Sequence, residues 1–156
     1  MILRILVALD ESPRAPAVFY AAAVLAEAFT AELILFRAID VPQEFPAAGA
    51  GGRRDELSPQ LAKAAHEGLM TYAGQRPDLT SRVVIHTNAL AHEAILLAAR
   101  EHDIDLIVIG SHGYHGLDRI LGTTAGMVAN RADRDVFVVH ARTRAGNASS
   151  SSSGGA

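Results

Sequence analysis

The chain of 156 residues contains no cysteine, so disulfides, thiolate metal sites and thiol nucleophiles are all excluded. Charge of either sign is also scarce in excess. Fourteen Lys and Arg against seventeen Asp and Glu leave a formal net charge of -3, and the basic residues are scattered, so no electrostatic footprint for a nucleic-acid backbone exists. No apolar stretch approaches the roughly 20 residues of a membrane span. The opening Met1-Ile2-Leu3-Arg4-Ile5-Leu6-Val7 is too short for a signal h-region and runs into Asp10-Glu11, so the cytoplasm is the expected compartment.

What is present suits one compact domain. A hydrophobic content of 49% with 20% charged residues is enough to close one core at this length. Ile2 to Leu9 is a nearly continuous apolar run interrupted by Arg4, the pattern of a central parallel strand buried on both faces. Ser12-Pro13 reads as a helix start, with Ala17, Val18, Ala21, Val24, Leu25 and Ala28 expected on the buried stripe. Leu33-Ile34-Leu35-Phe36 follows as a second strand, so the connection is a parallel, right-handed crossover.

From Val41 to Ser58 the composition turns to Pro, Ala and Gly, which predicts a mobile loop acting as a spacer or as a lid. A helix is expected over Pro59–Gln75, weakened by Gly68, and a third strand over Val83-Val84-Ile85. Ala91–His102 reads as a helix burying Ala94, Ile95, Ala98 and Ala99, before a fourth strand over Ile104–Ile109 broken by Asp105. Thr123–Arg131 is the last helix and Val136-Phe137-Val138-Val139 the fifth strand. Alternation of this kind predicts an α/β domain over residues 1–141, an open doubly wound five-stranded parallel sheet with helices on both faces. Residues 142–156, ending in a Ser/Gly run, are expected to form a disordered tail.

The segment from Gly110 to Thr124, GSHGYHGLDRILGTT, lies between the fourth strand and the last helix, where open α/β sheets bind ligands. Its four glycines let backbone N–H groups approach an anion, and Thr123 and Thr124 add hydroxyls beside a helix N-terminus. Polyphosphate suits this chemistry, although glycine loops also serve plain turn geometry. Other phosphate motifs fail: no lysine follows Gly122, and the first turn, Asp10-Glu11-Ser12, lacks the dinucleotide glycine fingerprint. Asp10 ends the first strand, where a carboxylate can meet a ribose hydroxyl, hold Mg²⁺, or simply cap the turn.

Competing chemistries find less support. His112 and His115 are three apart with no third ligand in evidence, so His112 is expected to line a nucleotide pocket rather than bind metal. Ser111 has no nucleophile-elbow pattern around it and no base of forced orientation, which leaves slow phosphoryl hydrolysis as the one catalytic option. A phosphoacceptor receiver would need an Asp ending the third strand and a Lys ending the fifth, where Thr87-Asn88 and His140 stand.

Taken together, the strand ending Ala8-Leu9-Asp10-Glu11-Ser12, the strand-loop Asp105–Gly113, and the spacing Gly110-x2-Gly113-x8-Gly122-Thr123 resemble the universal stress protein family. Its nucleotide-binding members carry Gly-x2-Gly-x9-Gly-Ser/Thr, one residue longer, and a Gly-x-Pro where Ala89-Leu90-Ala91 stands here. The resemblance implies an adenine-nucleotide alpha-hydrolase-like fold and a stress-response regulator that binds ATP. It would set Ala8, Leu9 and Asp10 along the adenosine, Ala38 near the adenine, and Ile109 and Gly110 beneath the ribose, with Ser12 also expected among the cofactor-binding residues. Gly113, Gly122, Thr123 and Thr124 would hold the phosphates. It also implies a sheet-edge position for the fifth strand and hence a homodimer through it; the alternative is a dimeric interaction protein of the same fold that binds no nucleotide.

Overall fold

The computed structural model describes residues 1–39, 54–87, 90–111 and 123–140, with backbone alone for 54–58. Five strands, β1 (Arg4–Ala8), β2 (Glu32–Ile39), β3 (Ser81–Thr87), β4 (Leu106–Gly110) and β5 (Asp135–Val139), alternate with four helices. These are α1 (Ala15–Phe29), α2 (Arg54–Gln75), α3 (Ala91–Glu101) and α4 (Thr123–Arg131). All four strand pairings are parallel, in the order β3-β2-β1-β4-β5. The chain grows outwards from β1 through β2 to β3, then returns to the other side of β1 as β4. The order therefore reverses between β1 and β4, and β5 forms an edge.

Period-2 alternation sorts the apolar side chains of β1, β2 and β4 into two layers. Ile5, Val7, Leu33, Leu35 and Val108 pack with α1 and α2 residues such as Phe19, Ala22 and Leu69. Leu6, Ile34, Phe36, Ile107 and Ile109 pack with Ala94, Ile95 and Ala98 of α3 and Val128 of α4. The central strands are thus covered on both faces, as their unbroken apolar runs require.

Two helices depart from the sequence-based expectation. α1 begins at Ala15 after Arg14, with Pro16 rather than Pro13 in its first turn, and it buries Ala15, Val18, Phe19, Ala22, Ala23 and Ala26. Of the expected stripe only Val18 is buried. Glu27 is the sole charged residue in that helix, so period alone cannot orient it; close packing on the sheet selects the narrow alanine face and leaves Tyr20 and Val24 exposed. α2 begins at Arg54, so Arg54–Ser58 are helical and not part of the loop, and Pro59 sits inside the helix. As the sixth residue of the helix, Pro59 removes the bond that an N–H there would make to the Asp55 carbonyl, a break in the ladder just after the first turn. The remainder of the expected loop, residues 40–53, and the tail beyond residue 140 lie outside the described residues.

Candidate functional site

A cleft of about 180 Å³ opens at the carboxyl ends of β1 and β4, where the strand order reverses. Its floor is made by strand ends: Ala8 of β1 stands beside Phe36 of β2 and Ile109 of β4, with Ala38 farther along β2. Val18 of α1 and Ile95 of α3 close its sides with apolar atoms. Polar groups converge at the rim from three segments: Asp10, Ser12 and Arg14 before α1, Ser111 after β4, and Thr124 in the first turn of α4.

The turn between β1 and α1 is shaped by its own side chains. Asp10 Oδ1 accepts from the Ser12 N–H at 3.0 Å, and Ser12 Oγ accepts from the Arg14 N–H at 3.3 Å. Two consecutive side-chain turns thus replace the helix cap that Ser12 was expected to form. On the outer side of the turn, the Leu9 carbonyl accepts from Arg37 Nε at 3.1 Å.

Gly110 has a structural reason to be glycine that does not depend on any ligand. A Cβ at that position would lie 2.9 Å from Val18 Cγ2, closer than carbon atoms pack, so β4 and α1 meet here only because the side chain is absent. Beyond it, Ser111 N–H donates to the Val139 carbonyl at 2.9 Å, and Ser111 Oγ lies 2.9 Å from His140 Nδ1. The expectation that Ser111 has no oriented base nearby is corrected by this contact, because parallel pairing of β4 with β5 brings their carboxyl ends side by side.

Of the residues singled out in the sequence, Ala8, Leu9, Asp10, Ser12, Ala38, Ile109, Gly110 and Thr124 are brought together around this cleft. Thr123 opens α4 but is exposed and not among the lining residues. His112, Gly113 and Gly122 lie outside the described residues. Arg14, Phe36, Ile95, Ser111 and Val139 line the cleft without having been singled out for it. Ser111 lies inside the Gly110–Thr124 segment, whereas the other four carry no local motif and only the pairing of distant elements reveals them.

Among the described residues no group of three or more His, Asp or Glu side chains could hold a metal ion. Asp105, whose carboxyl is lowered chiefly by backbone donors, belongs to the opposite end of the sheet: its Oδ2 accepts from Leu3 and Arg4 N–H groups at 2.7 and 2.9 Å. Also among the described residues, no helix is long and apolar enough to cross a membrane.

The sequence profile of the universal stress protein family matches residues 1–140. Universal stress protein A homolog 1 of Coxiella burnetii is 32% identical over 145 residues, covering 86% of this chain and 94% of the relative. Among solved structures, hypothetical protein MJ0577 superposes with a TM-score of 0.72 at 26% identity, covering 91% of this chain and 98% of that one. UspA from Lactobacillus plantarum superposes with a TM-score of 0.66 at 25% identity, covering 88% and 97% respectively. With the reversed strand order, the cleft at the reversal and these likenesses in agreement, the chain belongs to the universal stress protein family.

Proposed function

We propose that this protein is a stress-response regulator that binds ATP in the cleft between β1 and β4, with slow hydrolysis at most. The observation that carries the reading is the placement of an apolar-floored cleft with a polar rim at the strand-order reversal of an open parallel sheet. An adenine ring suits the small apolar floor of Ala8, Ala38 and Ile109, and the Asp10 carboxylate suits a ribose hydroxyl. Thr124 at the N-terminus of α4 and the Arg14 side chain offer donors and positive potential to phosphates. At about 180 Å³ the part bounded by described residues is smaller than the roughly 300–1,000 Å³ of whole ligand pockets, which fits the adenosine moiety with the phosphates reaching beyond it.

Gly113, Gly122 and Thr123 complete the phosphate-binding set by family resemblance, and His112 the pocket wall. Mg²⁺ would ride on the phosphates, with an Asp10 carboxylate oxygen as its ligand from the protein. Two universal stress proteins sharing the fold at 23% and 21% identity were solved with cAMP and with dAMP. At that distance they speak for the fold, and the ligand assignment here rests on the cleft.

The experiment is calorimetric titration of ATP into the wild type and Asp10→Ala. Asp10 lies outside the buried core, so thermal melting should stay near wild type while affinity falls at least about tenfold. Equal affinity in a folded variant would remove Asp10 from the site, and loss of folding would make it structural.

Homodimerisation through β5 is the second part of the proposal. β5 is an edge strand, and Phe137 at its centre is 45% exposed. An apolar edge of this kind has to be covered, charged or used.

A further inference from the structure

The geometry points to Arg37 as a positioning residue that holds the β1–α1 turn, and through it Asp10, in the form that receives the ligand. Among the described residues it is the buried charged side chain. It stands in β2 between Phe36 and Ala38, which line the cleft, but alternation turns it to the opposite face of the sheet, the α1 and α2 layer. There its guanidinium reaches three successive residues of one turn: Nε donates to the Leu9 carbonyl at 3.1 Å, Nη2 to the Asp10 carbonyl at 3.4 Å, and Nη1 to Glu11 Oε1 at 3.3 Å.

Core stability does not account for this choice. Burying a guanidinium carries a desolvation cost that an aliphatic side chain at the same place avoids, and its counter-charge among the described residues, Glu11, has a side chain 84% exposed. What Arg37 does provide is geometric: a planar fork of donors fixes two backbone carbonyls at once, which an ammonium cannot do as rigidly. Backbone bonds hold the two ends of the turn, Leu9 N–H to the Phe36 carbonyl at 2.9 Å and Ala15 N–H to the Ser12 carbonyl at 3.1 Å, and the fork adds a grip on the Leu9 and Asp10 carbonyls between them. α2 completes the arrangement from outside. A Cβ added at Gly68 would lie 3.5 Å from Arg37 Nη1, in ordinary contact, so the α2 backbone passes close to the guanidinium.

This role rests on the cleft being the nucleotide site, and two readouts separate the claims. The first is amide hydrogen exchange at Ser12, whose N–H is held by Asp10, and it needs no ligand. Arg37→Met, close in length and apolar, should accelerate Ser12 exchange at least about fivefold while β1 and β4 core amides keep their protection. The second is a double-mutant cycle in ATP affinity. Arg37→Met should weaken binding about fivefold or more, Arg37→Lys should recover part of that loss, and Asp10→Ala should cost little extra once Arg37 is gone. Additive losses would show Arg37 acting independently of Asp10 and overturn the inference, as would unchanged exchange at Ser12. If the wild type binds no ATP yet exchange accelerates, the functional reading fails and the positioning role stands. Should Arg37→Met not fold, Glu11→Gln carries the same exchange test, with a smaller acceleration expected and none contradicting it.

Discussion

Gly110 and Val18 are in direct contact across the β4–α1 boundary, with 2.9 Å between Val18 Cγ2 and the point where a Cβ on Gly110 would stand. Val18 is β-branched and buried, so it has no easy rotamer into which to withdraw. Gly110→Ala should therefore destabilise the fold by about 1–3 kcal/mol, read from chemical denaturation. Val18→Ala in the same background should recover part of the loss by vacating the contested space. A neutral Gly110→Ala variant would show that β4 and α1 can separate, and would shift the reason for this glycine to the ligand.

Asp105 should make the protein acid-sensitive. Two backbone N–H bonds, from Leu3 and Arg4, hold its carboxyl below the ordinary carboxylate value of about 3.9. On acidification the unfolded chain therefore takes up the proton first. The stabilisation is complete above the unfolded value and disappears as pH falls through the lower folded value. Asp105→Asn should lose about 1 kcal/mol at pH 7, where the charge-assisted bonds are weakened, and the gap to wild type should narrow below about pH 4. Parallel melting curves at both pH values would contradict it.

The alternation of short apolar runs with helical segments was enough to read nine elements and their α/β arrangement, and α4 matches its expected span, Thr123–Arg131. Face assignment failed where composition is uniform. In α1 almost every residue is apolar, so the packed face follows from how closely Ala22, Ala23 and Ala26 approach the sheet, which no local pattern encodes. The cleft was legible at the strand ends because parallel topology fixes which ends converge. Phe36 and Ile95 were missed because they reach the cleft from the body of a strand and the second turn of a helix. Arg37 had a visible signal, one charge inside an apolar run, but its meaning depends on a turn 26 to 28 residues away.

The edge of the sheet yields a prediction about assembly. Ser111 N–H donates to the Val139 carbonyl, so Val139, Phe137 and Asp135 direct their backbone groups towards β4, while Val136 and Val138 direct theirs outwards. Antiparallel pairing of two copies centred on Phe137 would join Val136 of each copy to Val138 of the other, and would keep the two Asp135 charges apart. Val138→Pro removes an outward donor without touching the β4 ladder, so light scattering should report a change from dimer to monomer. A wild type already monomeric at micromolar concentration would contradict edge pairing.

The central claim is that the cleft between β1 and β4 holds ATP. Its most direct measurement is calorimetric titration of ATP, with Mg²⁺ present, into wild-type protein first unfolded and refolded to remove any retained nucleotide. The account predicts one saturable site per chain with micromolar affinity, about 8 kcal/mol of binding free energy. No saturable heat up to millimolar ATP, in protein whose melting confirms the refolded state, would contradict it.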